Sequence, residues 1–281
     1  MSGSILGTGD VLVRVNMSRA AIEVIPFPAQ WQLLGGRALT VRILSETVDP
    51  RCDPLGSGNK LVVAPSLQMG TAAATSGRLS FGAKSPLTRD IKESNNGGNA
   101  GQHLARMGIR ALIIEGDAGS RQELVVEPAG IRLVAADELA GSWNYDTCRR
   151  LAENFPAKAS FIVCGPAGEQ GLAAASIACT DRDNRYPTRH AARGGLGAVM
   201  GSKRLKFIVV NPGKEFSAAR VAKRKKEFRE PLKEQTRRYL EGATAHGQRH
   251  VPGGSQSGFS QHLAVQESPR GQPARGGRDR S

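Results

Sequence analysis

Several features that would point to particular protein classes are scarce in this 281-residue sequence. Aromatic residues make up 5% of it, which disfavours a surface that stacks nucleic-acid bases. No run approaches the roughly 18 consecutive apolar residues that a membrane-spanning helix requires. The first ten residues, MSGSILGTGD, contain neither a basic stretch nor a long apolar stretch, so no secretory signal is recognisable. We therefore expect a cytoplasmic location and no membrane partner.

Cysteine is also scarce, and its spacing argues against a local metal site. The four cysteines are Cys52, Cys148, Cys164 and Cys179, and no two of them form a CxxC pair. A zinc site or an iron–sulfur loop is therefore unsupported. Cys164 and Cys179 lie in apolar runs, and we expect buried free thiols there.

The positive charge is distributed unevenly. The formal net charge is +14, and residues 214–281 carry more of it than residues 1–213. We expect a folded domain over residues 1–213 and a charged helical segment, interrupted at Pro231, over residues 214–241. Residues 242–281 are poor in apolar side chains, so they are predicted to be a low-complexity, disordered tail.

The most informative segment is RHAARGGLGAVMGSK, residues 189–203. Two arginines, Arg189 and Arg193, precede the pair Gly194-Gly195, which opens a predicted helix. Glycine lets a ligand approach the backbone closely, and a guanidinium donates paired hydrogen bonds to phosphate. The segment is typical of an anion-binding cradle. The alternative is that the glycines only make a tight turn and that the arginines are solvated.

A second copy of this pattern occurs upstream. The pair Gly97-Gly98 leads into GQHLARMG and a buried strand, as Gly194-Gly195 leads into LGAVMG and a buried strand. Gly116 lies 19 residues after Gly97, and Gly213 lies 19 residues after Gly194. A strand that breaks at proline precedes each copy. We predict an α+β fold in which duplicated strand/Gly-Gly-helix/strand units form two intertwined β-sheets, with two cradles facing one ligand.

Other elements follow from the hydrophobic pattern. In chain order they are a β-hairpin of VLVRVN and AIEVIPF, a helix over residues 30–44, a strand RLSFGAK, two short strands ELVVEP and IRLVA, and a helix over residues 146–154. Nucleotide-binding motifs are rejected. GPAGEQG lacks the Rossmann glycine spacing, and the contexts of Lys84 and Lys203 do not match a P-loop.

A series of motifs in fixed order resembles the N-terminal domain of the aldehyde ferredoxin oxidoreductase family, the tungsten-pterin enzymes. The resemblance runs from about Val11 to Asn211. It is carried by SGR (76–78), KSPLT (84–88), NNGG (95–98), IIEG (113–116), GPAGE (165–169) and RGGLGAVMGSKRLK (193–206). It implies two β-sheets that form a saddle beneath a tungsten, or molybdenum, bis-pterin cofactor whose two phosphates are bridged by magnesium.

The resemblance also implies roles for individual residues. Arg78 and Arg189 match guanidinium groups that hold the pterin phosphates, and Gly97 matches a backbone contact to phosphate. Asn95 and His190 match positions whose backbone carbonyls ligate the magnesium. Because only its carbonyl is used, we expect the His190 imidazole to be exposed rather than catalytic.

Other family features are missing from the sequence. The resemblance implies a 4Fe-4S cluster, pterin-contacting aspartates and a substrate-pocket acid, yet the sequence has no ligands for that cluster and none of those motifs. We expect this chain to correspond to about the first third of a family member. The hypothesis is a truncated, frame-shifted or split form of an enzyme that oxidises aldehydes to carboxylates with ferredoxin as acceptor. A separate chain would then supply the missing domains.

Two other functions are open. The first is a non-catalytic module that binds pterin phosphates. The second is a basic nucleic-acid-binding protein that uses KRKKEFRE, and it is the weakest because no aromatic residues for base stacking alternate with the basic ones.

Overall fold

The computed structural model describes residues 9–71, 73 and 76–213, together with seven helical residues: 229–231, 233, 234, 237 and 238. Within these ranges no helix combines the length and the apolar character needed to cross a membrane.

The first half of the domain, here the first repeat, contains six strands. Its elements are β1 (Val11–Asn16), β2 (Ala21–Pro26), α1 (Gly36–Thr47), β3 (Lys60–Pro65), β4 (Leu79–Lys84), β5 (Ile91–Asn96), α2 (Ala100–Arg106) and β6 (Ile109–Glu115). A short 3-10 helix, Ala29–Trp31, precedes α1. The strands form one sheet in the order β2-β1-β6-β3-β4-β5.

The second repeat has the same arrangement. Its elements are β7 (Gln122–Glu127), β8 (Gly130–Ala135), α3 (Asn144–Asn154), β9 (Ser160–Cys164), α4 (Pro166–Glu169), β10 (Ile177–Cys179), β11 (Arg189–Ala191), α5 (Leu196–Ser202) and β12 (Leu205–Val210). A 3-10 turn, Asp137–Leu139, precedes α3. The second sheet has the order β8-β7-β12-β9-β10-β11.

The two sheets have one topology, which confirms the predicted α+β fold and its duplication. Counted within each repeat, both sheets have the strand order 2-1-6-3-4-5, and in both the first and sixth strands are parallel. The neighbouring sixth and third strands are antiparallel in both. The duplicated unit is therefore larger than the Gly-Gly segment that revealed it. Each sheet is built from one continuous part of the domain, β1–β6 or β7–β12, so the expectation that the sheets are intertwined was wrong.

The core lies between the inner faces of the two sheets. Phe81 and Val63 from the first sheet belong to the same buried cluster as Ile162 and Ile208 from the second. Helix α1 covers the outer face of the first sheet, and α3 covers that of the second. Because β3, β6, β9 and β12 are buried on both faces, their sequences are nearly continuous apolar runs.

Most predicted elements are confirmed, and the differences have local causes. The helix expected over residues 30–44 begins only at Gly36, which has a left-handed φ of 51°. Strands β5, β10 and β11 were not predicted, because β5 is polar and the other two have three residues each. A short or polar strand leaves little hydrophobic periodicity in the sequence.

The four cysteines are free; Cys164 and Cys179 are buried as expected, and Cys148 is buried as well. Burial raises the pKa of the Cys164 and Cys179 thiols to about 12. These thiols are therefore protonated at neutral pH, which makes them poor nucleophiles.

In the second unit of the chain, residues 232–281, the described residues are Lys233, Glu234, Arg237 and Arg238, all helical. Glu234 pairs with Arg237 and Arg238. The tail predicted over residues 242–281 lies outside the described residues, as does most of the segment 214–241.

Candidate functional site at the junction of the two repeats

Edge strands β5 and β11 meet where the two repeats join. The Asn96 side-chain amide donates a hydrogen bond to the Arg189 carbonyl over 3.0 Å. Two residues earlier on β5, the Ser94 hydroxyl oxygen accepts one from the Arg193 amide over 3.2 Å. Both bonds join residues far apart in sequence, so they fix the edge of one sheet against the edge of the other.

The glycine pairs pack the repeats together. Gly98 has a φ of 104°, and a Cβ at this position would lie 2.5 Å from the Thr180 carbonyl oxygen of the second repeat. At Gly195, with a φ of 68°, a Cβ would overlap the Ala173 carbonyl of the same repeat and would lie 2.9 Å from Pro86 Cγ of the first repeat. At these two positions the missing side chain therefore allows close packing of the protein, rather than the approach of a ligand. Gly97 differs, because no atom lies within 4 Å of its Cβ position.

All five predicted site residues lie at this junction, which we call the cradle: Arg78, Asn95, Gly97, Arg189 and His190. Leu79 pairs with Asn96 at the end of the β4–β5 ladder, and Arg78 and Gly97 are the residues next to that pair in the chain. The Arg189 Cγ is 3.9 Å from the Cβ position of Gly98.

The two cradle arginines leave their positive charges available. Arg78 and Arg189 are exposed, and among the described residues neither guanidinium has a hydrogen bond or an ion pair. Arg78 precedes β4 of the first repeat and Arg189 begins β11 of the second, so each repeat contributes one of them. Two unneutralised guanidinium groups beside an accessible backbone suit a doubly charged oxyanion such as phosphate.

Asn95 is held by a nearly buried carboxylate. Its side-chain amide donates to Glu93 Oε1 over 3.1 Å, and the Ser80 hydroxyl donates to the same oxygen over 2.7 Å. The other oxygen, Oε2, accepts a hydrogen bond from Arg37 Nε over 3.0 Å. Sequence reasoning missed this network, although the GGR segment that contains Arg37 resembles the Gly-Gly pairs chosen as signals.

The His190 imidazole is exposed, as expected, and its Nδ1 shares a hydrogen bond with Ser176 Oγ over 2.9 Å. This contact matches one in the first repeat. Glu93 lies four residues before Gly97-Gly98, and it bonds Ser80, two residues before its cross-strand partner Gly82. His190 lies four residues before Gly194-Gly195, and it bonds Ser176, two residues before its cross-strand partner Ala178. The duplication therefore extends to side-chain contacts.

The lysines of the rejected phosphate-binding motifs are engaged inside the protein. Lys84 Nζ donates to the carbonyls of Pro50 and Cys52, over 2.5 and 2.6 Å. Lys203 Nζ donates to the Gly56 carbonyl over 2.8 Å, and burial lowers its pKa to about 8. Both ammonium groups hold the loop that precedes β3.

No group of three or more His, Cys, Asp or Glu side chains could hold a metal ion within the described part of the chain.

Comparison with known sequences agrees with the motifs. A sequence model described as "Aldehyde ferredoxin oxidoreductase, N-terminal domain" matches residues 12–212. The tungsten-containing aldehyde ferredoxin oxidoreductase of Pyrococcus horikoshii is 35% identical over 224 residues, covering 79% of this chain and 36% of the relative. That of Pyrococcus furiosus is 35% identical over 205 residues, covering 72% and 33%. The chain thus spans about a third of the length of these relatives.

A solved structure has a similar fold. A chain of the active site complex BamBC of benzoyl coenzyme A reductase, in complex with 1,5-dienoyl-CoA, aligns with a TM-score of 0.69 and 28% sequence identity. The alignment covers 75% of this chain and 32% of that one. On the match over residues 12–212 and the identity to its relatives, this chain belongs to the aldehyde ferredoxin oxidoreductase family, through that family's N-terminal domain.

Proposed function

We propose that this chain is the pterin-binding domain of a tungsten, or molybdenum, aldehyde oxidoreductase and that its cradle binds the phosphate groups of a bis-pterin cofactor. The observation that carries the proposal is that two arginines from different repeats, Arg78 and Arg189, are exposed and unpaired among the described residues, with an open Cβ position at Gly97 of the same junction. Because the two arginines belong to different repeats, each repeat supplies one guanidinium group to the proposed site.

The residues present fit such a ligand. A phosphate monoester accepts charge-assisted hydrogen bonds from both guanidinium groups, and the open space at Gly97 lets it reach the backbone. Asn95 and His190 lie on the two strands that the Asn96–Arg189 hydrogen bond joins. Their backbone carbonyls are hard oxygen donors of the kind that Mg²⁺ prefers, so they would be the groups of this chain that hold a magnesium ion accompanying the phosphates.

Within this proposal the domain binds and orients the cofactor. Arg78 and Arg189 neutralise the phosphates, and the packed glycines hold the two halves of the cradle at a fixed separation. When bound, the metal–pterin group supplies the redox chemistry that converts an aldehyde to a carboxylate. The ligands of a 4Fe-4S cluster and a surface for ferredoxin would have to come from a separate chain or a longer one, since this chain spans about a third of the length of its relatives.

The proposal can be tested with a fluorescent pterin that carries a phosphate monoester, alongside the same pterin without phosphate. We expect Arg78→Ala and Arg189→Ala each to weaken binding of the phosphorylated probe about 10- to 150-fold, which corresponds to roughly 1.5–3 kcal/mol for a charged hydrogen bond. Arg189→Lys should recover only part of the affinity, because lysine keeps the charge and loses the paired donors.

A double change, Lys225→Ala with Lys226→Ala, is the control, since it removes two positive charges from the basic segment outside both repeats. We expect it to leave the affinity within about twofold of wild type. If this control removes phosphate-dependent binding while the Arg78 and Arg189 variants keep it, the basic segment is the binding element and the proposal is wrong.

A further inference from the structure

The most heavily bonded carboxylate near the cradle is that of Glu93, whose side chain is 6% exposed. A carboxylate removed from water is costly unless donors surround it, and Glu93 has three: Ser80, Asn95 and Arg37. Asn95 is a cradle residue, so this carboxylate links the cradle to Arg37.

The backbone at Gly36 and Arg37 lies next to the backbone segment that contains Arg78. The Cβ position of the preceding residue, Gly36, is 3.3 Å from Ser80 Oγ and 3.4 Å from the Ser66 Cα. Ser66 in turn donates its amide hydrogen to the Arg78 carbonyl over 3.0 Å. The backbones of Arg37 and Arg78 therefore lie near each other at the same end of the first sheet.

The Arg37 guanidinium is held on one side only. Its Nε donates to Glu93, while its side chain is 73% exposed. A carboxylate at Nε fixes the plane of the guanidinium and leaves the outer pair of N–H groups directed away from that contact. Two parallel N–H donors on one edge match the spacing of two oxygens of a phosphate.

We propose that Arg37 is a third phosphate-binding arginine of the cradle, held in place by Glu93. The inference rests on the proposed function and deepens it, since it adds a residue that neither the motifs nor the duplication indicated. In this proposal the first repeat supplies two guanidinium groups, those of Arg37 and Arg78, and the second repeat supplies one, that of Arg189.

The test uses the full chain and the same two probes, pterin with and without a phosphate monoester. We expect Arg37→Ala to lower the affinity for the phosphorylated probe about 3- to 10-fold. This is less than the loss expected for the Arg78 and Arg189 variants, because Glu93 already offsets part of the Arg37 charge. The unphosphorylated probe should bind unchanged. Arg37→Lys should lose nearly as much, because one ammonium group cannot reproduce the two edges of the guanidinium.

Arg42→Ala is the matched control. Arg42 lies on the same helix and pairs with Glu46, and its side chain is 53% exposed, so the variant removes one exposed, paired arginine from α1. We expect it to change neither affinity by more than about twofold. Thermal unfolding of all variants separates a binding effect from a general loss of structure.

Three outcomes overturn the inference. If Arg37→Ala behaves like Arg42→Ala while Arg78→Ala and Arg189→Ala weaken the phosphorylated probe, Arg37 has no role and the proposed function stands. If Arg37→Ala weakens both probes equally, its effect is structural. If no arginine variant changes the discrimination between the probes, the cradle itself is wrong and the proposed function fails with it.

Discussion

Strand β5 of the first repeat has six residues, and its counterpart β11 in the second has three. Both are sheet edges, and both precede a Gly-Gly pair. At equivalent places one carries Glu93 and the other His190, each bonded to an equivalent serine. The comparison shows that the repeats share one backbone arrangement but place a carboxylate in the first and an imidazole in the second at equivalent positions.

The repeats also differ in how they bury charge. In the second repeat, Glu169 pairs with Arg121 and with Lys206, whose side chain is fully buried. In the first, Glu115 pairs with Lys60 and with Arg14, whose side chain is 45% exposed. The second cluster is therefore the more isolated from water, and the first is partly screened.

The largest expected effect comes from breaking the second cluster. Glu169→Gln leaves the Lys206 ammonium buried without its anion and should lower the free energy of unfolding by about 3–5 kcal/mol. Glu115→Gln should cost only about 1–2 kcal/mol, since water reaches one of its partners, Arg14, whose side chain is 45% exposed. Urea unfolding of both variants measures the difference, and equal costs would show that the repeats bury these charges alike.

The glycines that pack the repeats together give the next largest effect. Gly98→Ala places a Cβ against the Thr180 carbonyl at a left-handed φ, and should lower the free energy of unfolding by about 2–4 kcal/mol. Gly195→Ala should act similarly. Gly97→Ala is the matched control, because its Cβ position is open, and should cost less than about 1 kcal/mol. A Gly97 variant as unstable as the Gly98 variant would contradict the assigned geometry.

A buried histidine links the repeats and makes the junction sensitive to acid. His103 on α2 shares a hydrogen bond with Ser160 at the start of β9, 2.9 Å away, and burial lowers the His103 pKa to about 4. The folded pKa is below the unfolded value of about 6.5, so protons favour the unfolded chain. Stability is unaffected above pH 6.5 and falls as the pH drops from there towards 4.

We expect this histidine to remove about 2 kcal/mol of stability between pH 7 and pH 5. His103→Gln should flatten that part of the profile, measured by urea unfolding at a series of pH values. His190→Gln is the control, since its exposed ring gives no comparable burial. If the free energy of unfolding of the His103 variant falls with pH as steeply as that of wild type, other groups cause the pH dependence.

The smallest effect on stability concerns the hydrogen bond between the edges. Asn96→Ala removes the donor to the Arg189 carbonyl and should cost about 1 kcal/mol of unfolding free energy. Because the variant also removes a bond that holds β11, the strand of Arg189, it should lower the affinity for the phosphorylated pterin more than the affinity for the unphosphorylated one. An unchanged ratio of the two affinities would show that the bond has no bearing on the cradle.

The sequence predicted the duplication and the family because glycine spacing and ordered motifs are properties of the chain itself. The residues proposed for the cradle came from the same motifs, and the structure brings them together at the junction. The Glu93 network and the packing of Gly98 on Thr180 were beyond prediction, because they depend on contacts between residues far apart in the chain. Strands β10 and β11 were missed because three residues hold too little periodicity.

The central claim is that the two repeats together bind one phosphate-bearing pterin ligand. The most direct test is the ratio of affinities for the phosphorylated and unphosphorylated pterin, measured for wild type and for the double variant Arg78→Ala/Arg189→Ala. We predict that wild type prefers the phosphorylated probe by at least about tenfold and that the double variant shows no preference. A double variant that keeps the wild-type preference would contradict the claim.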